Sequence, residues 1–379
     1  MKILVYENSA GLSHYSHKLC NALADYVEYK VIYLTPVNNA YLDRIDRKIE
    51  VHPILDFYQD NYKKGSFLWA MNRLFISTKN IVLRNLFIKK HRPDVLSLQY
   101  TMPIIDQFLL YFIKGRCKIV MTVHDVIPPN PSKNWSIKSL QKLYDVSDQL
   151  IVHTQSNKTL LEKTFSIPSD KVTVIHHGTE VTFPPISIEN IKKDLGLLNN
   201  KLTLLFFGKI RPQKGLDVLL KAMEEVNCNL IVAGKVKYGD SFKEYDKLIS
   251  EKRINCVKEL GHIPEKRVNE LFQACDVVVL PYKYFHSMSG VFIQALQYQK
   301  PIIATDVSGF REFCDKYDIG LICEPNDVES LKGVLQSIIT NKTIYQQLKS
   351  NIHIAAKENT WEKSADYHTK VFLKAYESR

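Results

Sequence analysis

The sequence predicts an α/β protein built from two doubly wound domains in tandem, each a parallel sheet with helices on both faces. Three observations carry that reading. Short apolar runs alternate with amphipathic stretches along almost the whole chain, which is the pattern of strand, crossover helix and strand. The alternation lapses once, around Thr182–Asn200, and then starts again. At 379 residues the chain is also long enough to bury two separate cores.

In the first half the strand-like runs are Lys2–Glu7, Tyr29–Leu34, Val95–Gln99, Lys118–His124, Gln149–His153 and Val172–His176. Between them, helical periodicity is expected at His14–Tyr26, Ile104–Ile113, Ile137–Val146 and Asn157–Phe165. Phe183-Pro184-Pro185 and the polar Asn199-Asn200 mark a linker, which places the domain boundary near residue 185. Beyond it, strands are expected at Thr203–Phe207, Asn229–Ala233, Val257–Leu260, Asp276–Leu280, Pro301–Thr305 and Gly320–Cys323. The accompanying helices are Leu216–Val226, Phe242–Lys252, Glu265–Ala274, Gly290–Tyr298 and Val328–Thr340, and the chain ends in helical pattern that includes Trp361. Sheets of this kind take ligands at the carboxyl ends of their strands, and two facing each other form a cleft.

Composition narrows the class. Hydrophobic residues make up 45% and charged residues 24%, an ordinary globular mixture. There is no apolar run long enough for a spanning helix, and Met1–Tyr6 enters a strand-like run at once, so no signal peptide is expected. The seven cysteines form no C-x-x-C pair and mostly sit in apolar runs, which predicts reduced buried thiols and a cytoplasmic address. A net charge of +11 calls for an anionic partner: nucleic acid, phospholipid or a phosphorylated substrate. Between Asn61 and Pro93 the chain carries Lys63, Lys64, Arg73, Lys79, Arg84, Lys89, Lys90 and Arg92, interleaved with apolar residues and with no acidic residue. Two readings stand for Lys63–Arg92: a helix lying on anionic membrane, or a core-facing helix with a basic outer face.

Several common sites are absent from the sequence. It has no G-x-x-x-x-G-K-[ST] phosphate loop, no G-x-G-x-x-G and no H-E-x-x-H or D-x-D, so nucleoside triphosphatase, nicotinamide and obvious metal-site readings lose support. Asn8–His14 is a small-residue turn around Gly11 that opens a helix; it either admits a ligand to the backbone or is a plain tight turn. Gly208–Gly215 follows an apolar strand directly and presents Lys209, Arg211 and Lys214, a cation set suited to a diphosphate. Ser289-Gly290-Val291 opens another helix, where backbone N–H groups would meet phosphate oxygens unless Ser289 caps them. His286 and Gln294 bracket that start. His124, at a strand end, either faces a ligand or is a hydrogen-bonded wall residue, and His176-His177 reads as structural.

These residues resemble the retaining GT-B glycosyltransferases of the group-1 (GT4) family, most specifically across Lys201–Glu312. Phe207–Asp217 is similar to the family's glycine–cation loop, which implies that Lys209 and Lys214 hold the donor diphosphate with Gly208 and Arg211 beside them. Leu260–Ile263 resembles the segment backing the nucleotide base, through His262 and Ile263. Ser289–Leu296 looks like the donor helix, and Glu312 matches a regular glutamate after it. Thr122–Asp125 is similar to the segment bearing the cleft histidine, here His124. Trp361 resembles the tryptophan of a C-terminal helix that crosses back, which divides the chain into 1–185, 186–357 and 358–379.

One departure stands out. The family usually has two glutamates where this chain has His286 and Gln294. Glutamine still exchanges hydrogen bonds with ribose hydroxyls. Histidine removes a negative charge beside the sugar, so donor identity does not carry over. The resemblance implies transfer, with retention and without a bound metal or other cofactor, from a nucleoside-diphosphate sugar to a glycan or lipid-linked glycan, as in surface polysaccharide synthesis. The partners expected are that donor, that acceptor and an anionic inner membrane face reached through Lys63–Arg92, with no nucleic acid. A sugar-nucleotide epimerase of the same architecture and a nucleic-acid binder are the alternatives. Conversion of a sugar nucleotide without acceptor would mark the first, and a salt-sensitive oligonucleotide shift the second.

Overall fold

The computed structural model describes the chain except residues 10, 27, 58–61, 64, 128–133, 181–182, 185, 199, 238–240, 286–287 and 379, and the side chains of 134–136. It divides into two compact units. Unit 1 is Met1–Gly178 with Trp361–Arg379, and unit 2 is Thr179–Thr360. The chain therefore passes between units at Gly178/Thr179, a little before the linker prolines, and again at Thr360/Trp361.

Unit 1 runs β1 (Lys2–Tyr6), α1 (Ser13–Leu23), β2 (Lys30–Pro36), β3 (Glu50–Leu55), α2 (Phe67–His91), β4 (Val95–Leu98), α3 (Pro103–Leu109), β5 (Lys118–Thr122), α4 (Asn134–Val146), β6 (Gln149–Val152), α5 (Gln155–Phe165) and β7 (Val172–Val174). Its sheet is parallel, in the order β3-β2-β1-β4-β5-β6-β7. Alternate residues of β1 feed opposite cores, as a pleated strand requires: Leu4 and Tyr6 join one cluster, Ile3 and Val5 the other. The strand at Glu50–Leu55 escapes the sequence reading because Glu50, His52 and Pro53 interrupt its apolar pattern. It is an edge strand, where a missing N–H is tolerated.

Unit 2 begins with α6 (Ile188–Asp194) and continues β8 (Thr203–Phe207), α7 (Leu216–Ala222), β9 (Asn229–Gly234), α8 (Lys243–Glu251), β10 (Asn255–Leu260), α9 (Glu265–Ala274), β11 (Val277–Leu280), α10 (Gly290–Gln297), β12 (Ile302–Thr305), α11 (Phe310–Tyr317), β13 (Gly320–Cys323), α12 (Val328–Thr340) and α13 (Lys342–Glu358). Its parallel sheet runs β10-β9-β8-β11-β12-β13, so every expected strand of this half is present. Leu205 faces one core, while Leu204 and Phe206 face the other.

The last helix, α14 (Trp361–Glu377), belongs to unit 1. Trp361, Ala365 and Phe372 join the core cluster that holds Tyr15 and Leu19 of α1. Trp361 lies directly on Gly178, where an added Cβ would come within 2.4 Å of the indole, so only glycine fits. All seven cysteines are free, and six of them are buried. No helix among the described residues is long and apolar enough to cross a membrane.

Candidate active site

In unit 2 the two loops singled out by sequence lie against each other at the carboxyl ends of β8 and β11, which are hydrogen-bonded neighbours. Backbone geometry accounts for this. Gly208 holds φ +104° and Gly215 φ +69°, a region that favours glycine. A Cβ on Gly215 would sit 1.8 Å from the Pro281 carbonyl oxygen, and one on Gly208 would sit 3.3 Å from Val291 Cγ2. The Lys283 N–H donates to the Gln213 carbonyl (2.9 Å), and Lys283 Nζ pairs with Asp217 Oδ2 (2.8 Å). The loop after β8 is thus fastened to the segment just past β11, with Gly208 close against Val291 in the first turn of α10.

Lys214 lies at the centre of that contact. Its Nζ sits 3.5 Å from the ring centroid of Tyr282 and 4.0 Å from that of Phe285. Burial, reinforced by Arg211, lowers its pKa to about 7. Arg211 Nε is buried without a hydrogen-bond partner among the described residues, while Lys209 is exposed. Ser289 makes no side-chain cap to α10 among the described residues; its hydroxyl bonds the Tyr282 hydroxyl instead (3.0 Å). Tyr282 is held in turn by Thr305, whose hydroxyl donates to the Tyr282 carbonyl (2.6 Å). The first N–H groups of α10 are therefore not spent on Ser289, and they keep the pull of a helix N-terminus for an anion.

The other expected donor residues lie on the same edge of this sheet. Gln294 is half-buried on α10. Glu312 sits in the first turn of α11, whose Phe310 stacks on Phe292 of α10 at 5.1 Å. His262 is exposed and Ile263 half-buried just past β10, where the Gly261 N–H donates to the Gly234 carbonyl (3.0 Å). His286 lies outside the described residues. Asp217, Tyr282 and Thr305 were not read from sequence; an acid two residues after Lys-Gly was the available signal for the first.

In unit 1, His124 belongs to a cluster. His124 Nδ1 faces His153 Nε2 (3.3 Å), His153 Nδ1 faces the Ile175 carbonyl (2.9 Å), and His124 Nε2 faces the Gln99 side-chain amide (3.4 Å). Tyr15 packs its ring against His124, His153 and His177, and its hydroxyl meets His368 Nε2 (3.3 Å). Burial holds His124 and His177 well below the ordinary imidazole range and takes His153 and His368 down to about 4. All four are thus neutral near pH 7. His153 must carry its proton on Nδ1 to donate to the carbonyl, which leaves its Nε2 as an acceptor facing His124 Nδ1. Gln99 gives its amide N–H to Ser97 Oγ (3.0 Å) and turns its oxygen to His124 Nε2, so both ring nitrogens of His124 face acceptors and its single proton serves one of them. Sequence reasoning found His124 alone. The missed signal is a histidine just beyond each of three consecutive strands, at His124, His153 and His176-His177.

At the carboxyl end of β1, two strands from β5 in the same sheet, Glu7 is buried and accepts from Ser13 Oγ (3.0 Å) and from the Tyr33 hydroxyl. Burial pushes its pKa up to about 7. Gly11 lies in the turn between them, exposed, where the Leu12 N–H donates to the Ser9 carbonyl (2.9 Å).

Two family models together match most of the chain: "Glycosyltransferase Family 4" over residues 9–183 and "Glycosyl transferases group 1" over 187–355. A D-inositol 3-phosphate glycosyltransferase of Rhodococcus erythropolis is 27% identical over 248 residues, covering 62% of this chain and 55% of that protein. The chain spans about half the length of the first curated relatives it matches (47% to 56%). Among solved structures, sucrose-phosphate synthase from Thermosynechococcus elongatus superposes with a TM-score of 0.78 at 16% identity, covering 100% of this chain and 99% of its own. Anabaena HepE in complex with UDP and glucose gives 0.75 at 17%, covering 99% and 100%. Likeness of this extent shows the GT-B fold.

Proposed function

We propose, since the chain belongs to the group-1 (family 4) glycosyltransferases, that it moves a sugar from a nucleoside-diphosphate sugar to a hydroxyl of a glycan or lipid-linked glycan. The observation that carries the donor half is the joining of Lys214 and the uncapped start of α10 by the Gly208–Gly215 loop. Cations and oriented amides in one place suit a diphosphate whose negative charge grows as it leaves. The UDP held by HepE, a protein of the same fold, is consistent with that class of ligand.

The reaction proposed is retaining. The bond from the anomeric carbon to the β-phosphate oxygen breaks and its electron pair stays on that oxygen. The acceptor oxygen then bonds the same face of the carbon, and its proton passes to the departing phosphate. The one carboxylate among the expected site residues, Glu312, is assigned to binding the donor, so the reading gives no residue the role of nucleophile. Lys209, Lys214, Arg211 and the α10 amides would meet the leaving charge, so a metal is not required. Neutral His124 would orient the sugar or acceptor. Gln294 and Glu312 would bind the nucleoside and sugar, with His262 and Ile263 at the base. A lipid-linked acceptor in surface polysaccharide synthesis, met at the inner membrane face through Lys63–Arg92, completes the reading.

A thermal-shift screen against UDP-, GDP- and ADP-sugars, with and without a chelator, tests it. One donor should raise the melting temperature equally in both conditions. A shift that needs a divalent cation would overturn metal independence. Turnover of the sugar nucleotide into an isomer without acceptor would replace transfer with epimerisation.

A further inference from the structure

The helix α2 is apolar on two opposite faces, and only one of them is used. Ile76, Ile81, Phe87 and Ile88 are buried, together with Arg84, whose guanidinium pairs with the equally buried Asp106 of α3 at 2.7 Å. At 100° per residue, Phe67, Met71, Phe75, Val82 and Leu86 fall on the far side of the same helix. They are exposed there with Leu68 and Leu74; Phe67 is 77% and Phe75 68% accessible. That stripe runs from Phe67 to Leu86 of the 25-residue helix, about 30 Å at 1.5 Å per residue. A solvated helix puts charge on that side, so an outward face of this kind marks an interaction surface.

A second group lies on the neighbouring helix. The pair Arg84–Asp106 and the bond from Asn85 Nδ2 to the Leu109 carbonyl (3.0 Å) fasten α3 beside the C-terminal half of α2. Phe108, Tyr111 and Phe112 are exposed on α3 and the turn after it, Phe112 at 70%. Lys114 and Arg116 follow on that turn, and Lys63, Lys89 and Lys90 are exposed at the ends of the α2 segment. Across residues 61–93 and 103–118 the one acidic residue is Asp106, which is buried and paired. Apolar and aromatic side chains flanked by lysine and arginine, with no exposed carboxylate in either segment and with Asp56 beside them paired to Lys79 (2.6 Å), match the chemistry of an anionic lipid interface. The sign of the charge argues against a second copy of this basic chain as the occupant.

We propose that the outward face of α2, extended by the aromatic turn after α3, is the surface on which unit 1 lies in an anionic bilayer. The phenylalanines enter the acyl boundary and the lysines meet the headgroups. The proposal rests on the transferase reading only for its purpose, which is to bring a lipid-linked acceptor within reach; docking itself is independent of the donor site.

Flotation of the full chain with phosphatidylcholine vesicles, with and without phosphatidylglycerol, tests it. The protein should float with the mixed vesicles, less so at high salt. Phe67→Ser with Phe75→Ser should weaken binding about tenfold or more. Lys89→Glu with Lys90→Glu should weaken it by about fivefold per charge removed, and only on the anionic vesicles. Phe112→Ser should add to the first pair. Failure of the parent protein to float, or flotation unchanged by Phe67→Ser, Phe75→Ser and Phe112→Ser together, overturns the proposal. So does a dimer in light scattering that the same substitutions split. Nucleotide-induced thermal shifts should match the parent's in every variant. Their absence in all proteins alongside intact flotation would sink the transferase reading and leave docking standing.

Discussion

Unit 2 builds its candidate site from backbone, and unit 1 builds its own from side chains. In unit 2 two glycines in left-handed conformation, Gly208 and Gly215, bring a loop against the start of α10, and the cation at the centre is one residue from one of those glycines. In unit 1 the groups that converge are His124, His153, His177, His368 and Tyr15, drawn from strand ends, α1 and the last helix. A backbone site tolerates little change at a few adjacent positions. A side-chain site depends on many remote ones, and on those groups staying neutral. The two should therefore fail under different stresses.

Acid should break unit 1 first, and this is the largest effect expected. A histidine whose folded pKa is depressed contributes stability that is present above the unfolded pKa and lost as pH falls through the window down to the folded one. For His153 and His368 that window runs from about 6.5 to about 4, and His124 and His177 are lowered in the same direction. Glu7, raised to about 7, acts oppositely, because its folded form keeps a proton that the unfolded form loses above about 4.5. At about 1.4 kcal/mol per pH unit and group, His153 and His368 outweigh Glu7 by about 1–2 kcal/mol between pH 7 and 5, and His124 and His177 add to the loss in the same direction. The tryptophans isolate the unit, since Trp69, Trp135 and Trp361 all belong to it. Tryptophan fluorescence melts should fall steeply over this range. His153→Asn should flatten the dependence, and an unchanged slope would mean that the cluster carries charge already.

Substitution should break unit 2 while leaving that fluorescence melt in place. Lys214→Met removes the cation that the donor diphosphate would meet; loss of a charged hydrogen bond of about 1.5–3 kcal/mol predicts a 10- to 100-fold fall in kcat/KM. Turnover at the parental rate would remove the basis of the donor assignment. Gly215→Ala should cost about 1–3 kcal/mol, through its φ and the Pro281 carbonyl, and should abolish the nucleotide-induced thermal shift with little effect on tryptophan emission. If emission moved as much as nucleotide binding, the units would not be separable in the way the glycines suggest.

The same contrast sets what was legible in the sequence. The Gly208–Gly215 loop could be read because backbone conformation writes itself into adjacent glycines, and every strand of unit 2 shows its apolar run. The edge strand Glu50–Leu55 could not, because an edge needs no continuous apolar pattern. The histidine cluster could not either: its members lie far apart in sequence, and each alone reads as a wall residue. The basic stretch 63–92 was legible as a helix, but burial alone tells which of its two apolar faces the core takes. That Ser289 would turn to Tyr282 instead of capping its own helix depended on a packed tyrosine that no local pattern announces.

The finest test of the comparison is a proton. Lys214 is brought down to about 7 by burial among Tyr282, Phe285 and Arg211, so above neutrality much of the protein holds it uncharged. A bound diphosphate favours the ammonium form and raises that pKa, so binding must take up a proton wherever the free protein lacks it. The sign follows: affinity for a nucleotide sugar, whose diphosphate does not titrate in this range, should be flat below pH 7 and fall above it, approaching tenfold per pH unit while the bound form stays protonated. Calorimetry at pH 8 in two buffers of different ionisation enthalpy should give binding heats that differ by the uptake of close to one proton, and Lys214→Arg should remove the difference because arginine stays charged. The histidines of unit 1 supply no such uptake if the donor diphosphate binds in unit 2 alone. Equal heats in both buffers for the parent protein would therefore show that Lys214 is already an ammonium ion, stabilised by the two rings more than it is destabilised by burial. The loop would then be a site organised for charge before its ligand arrives.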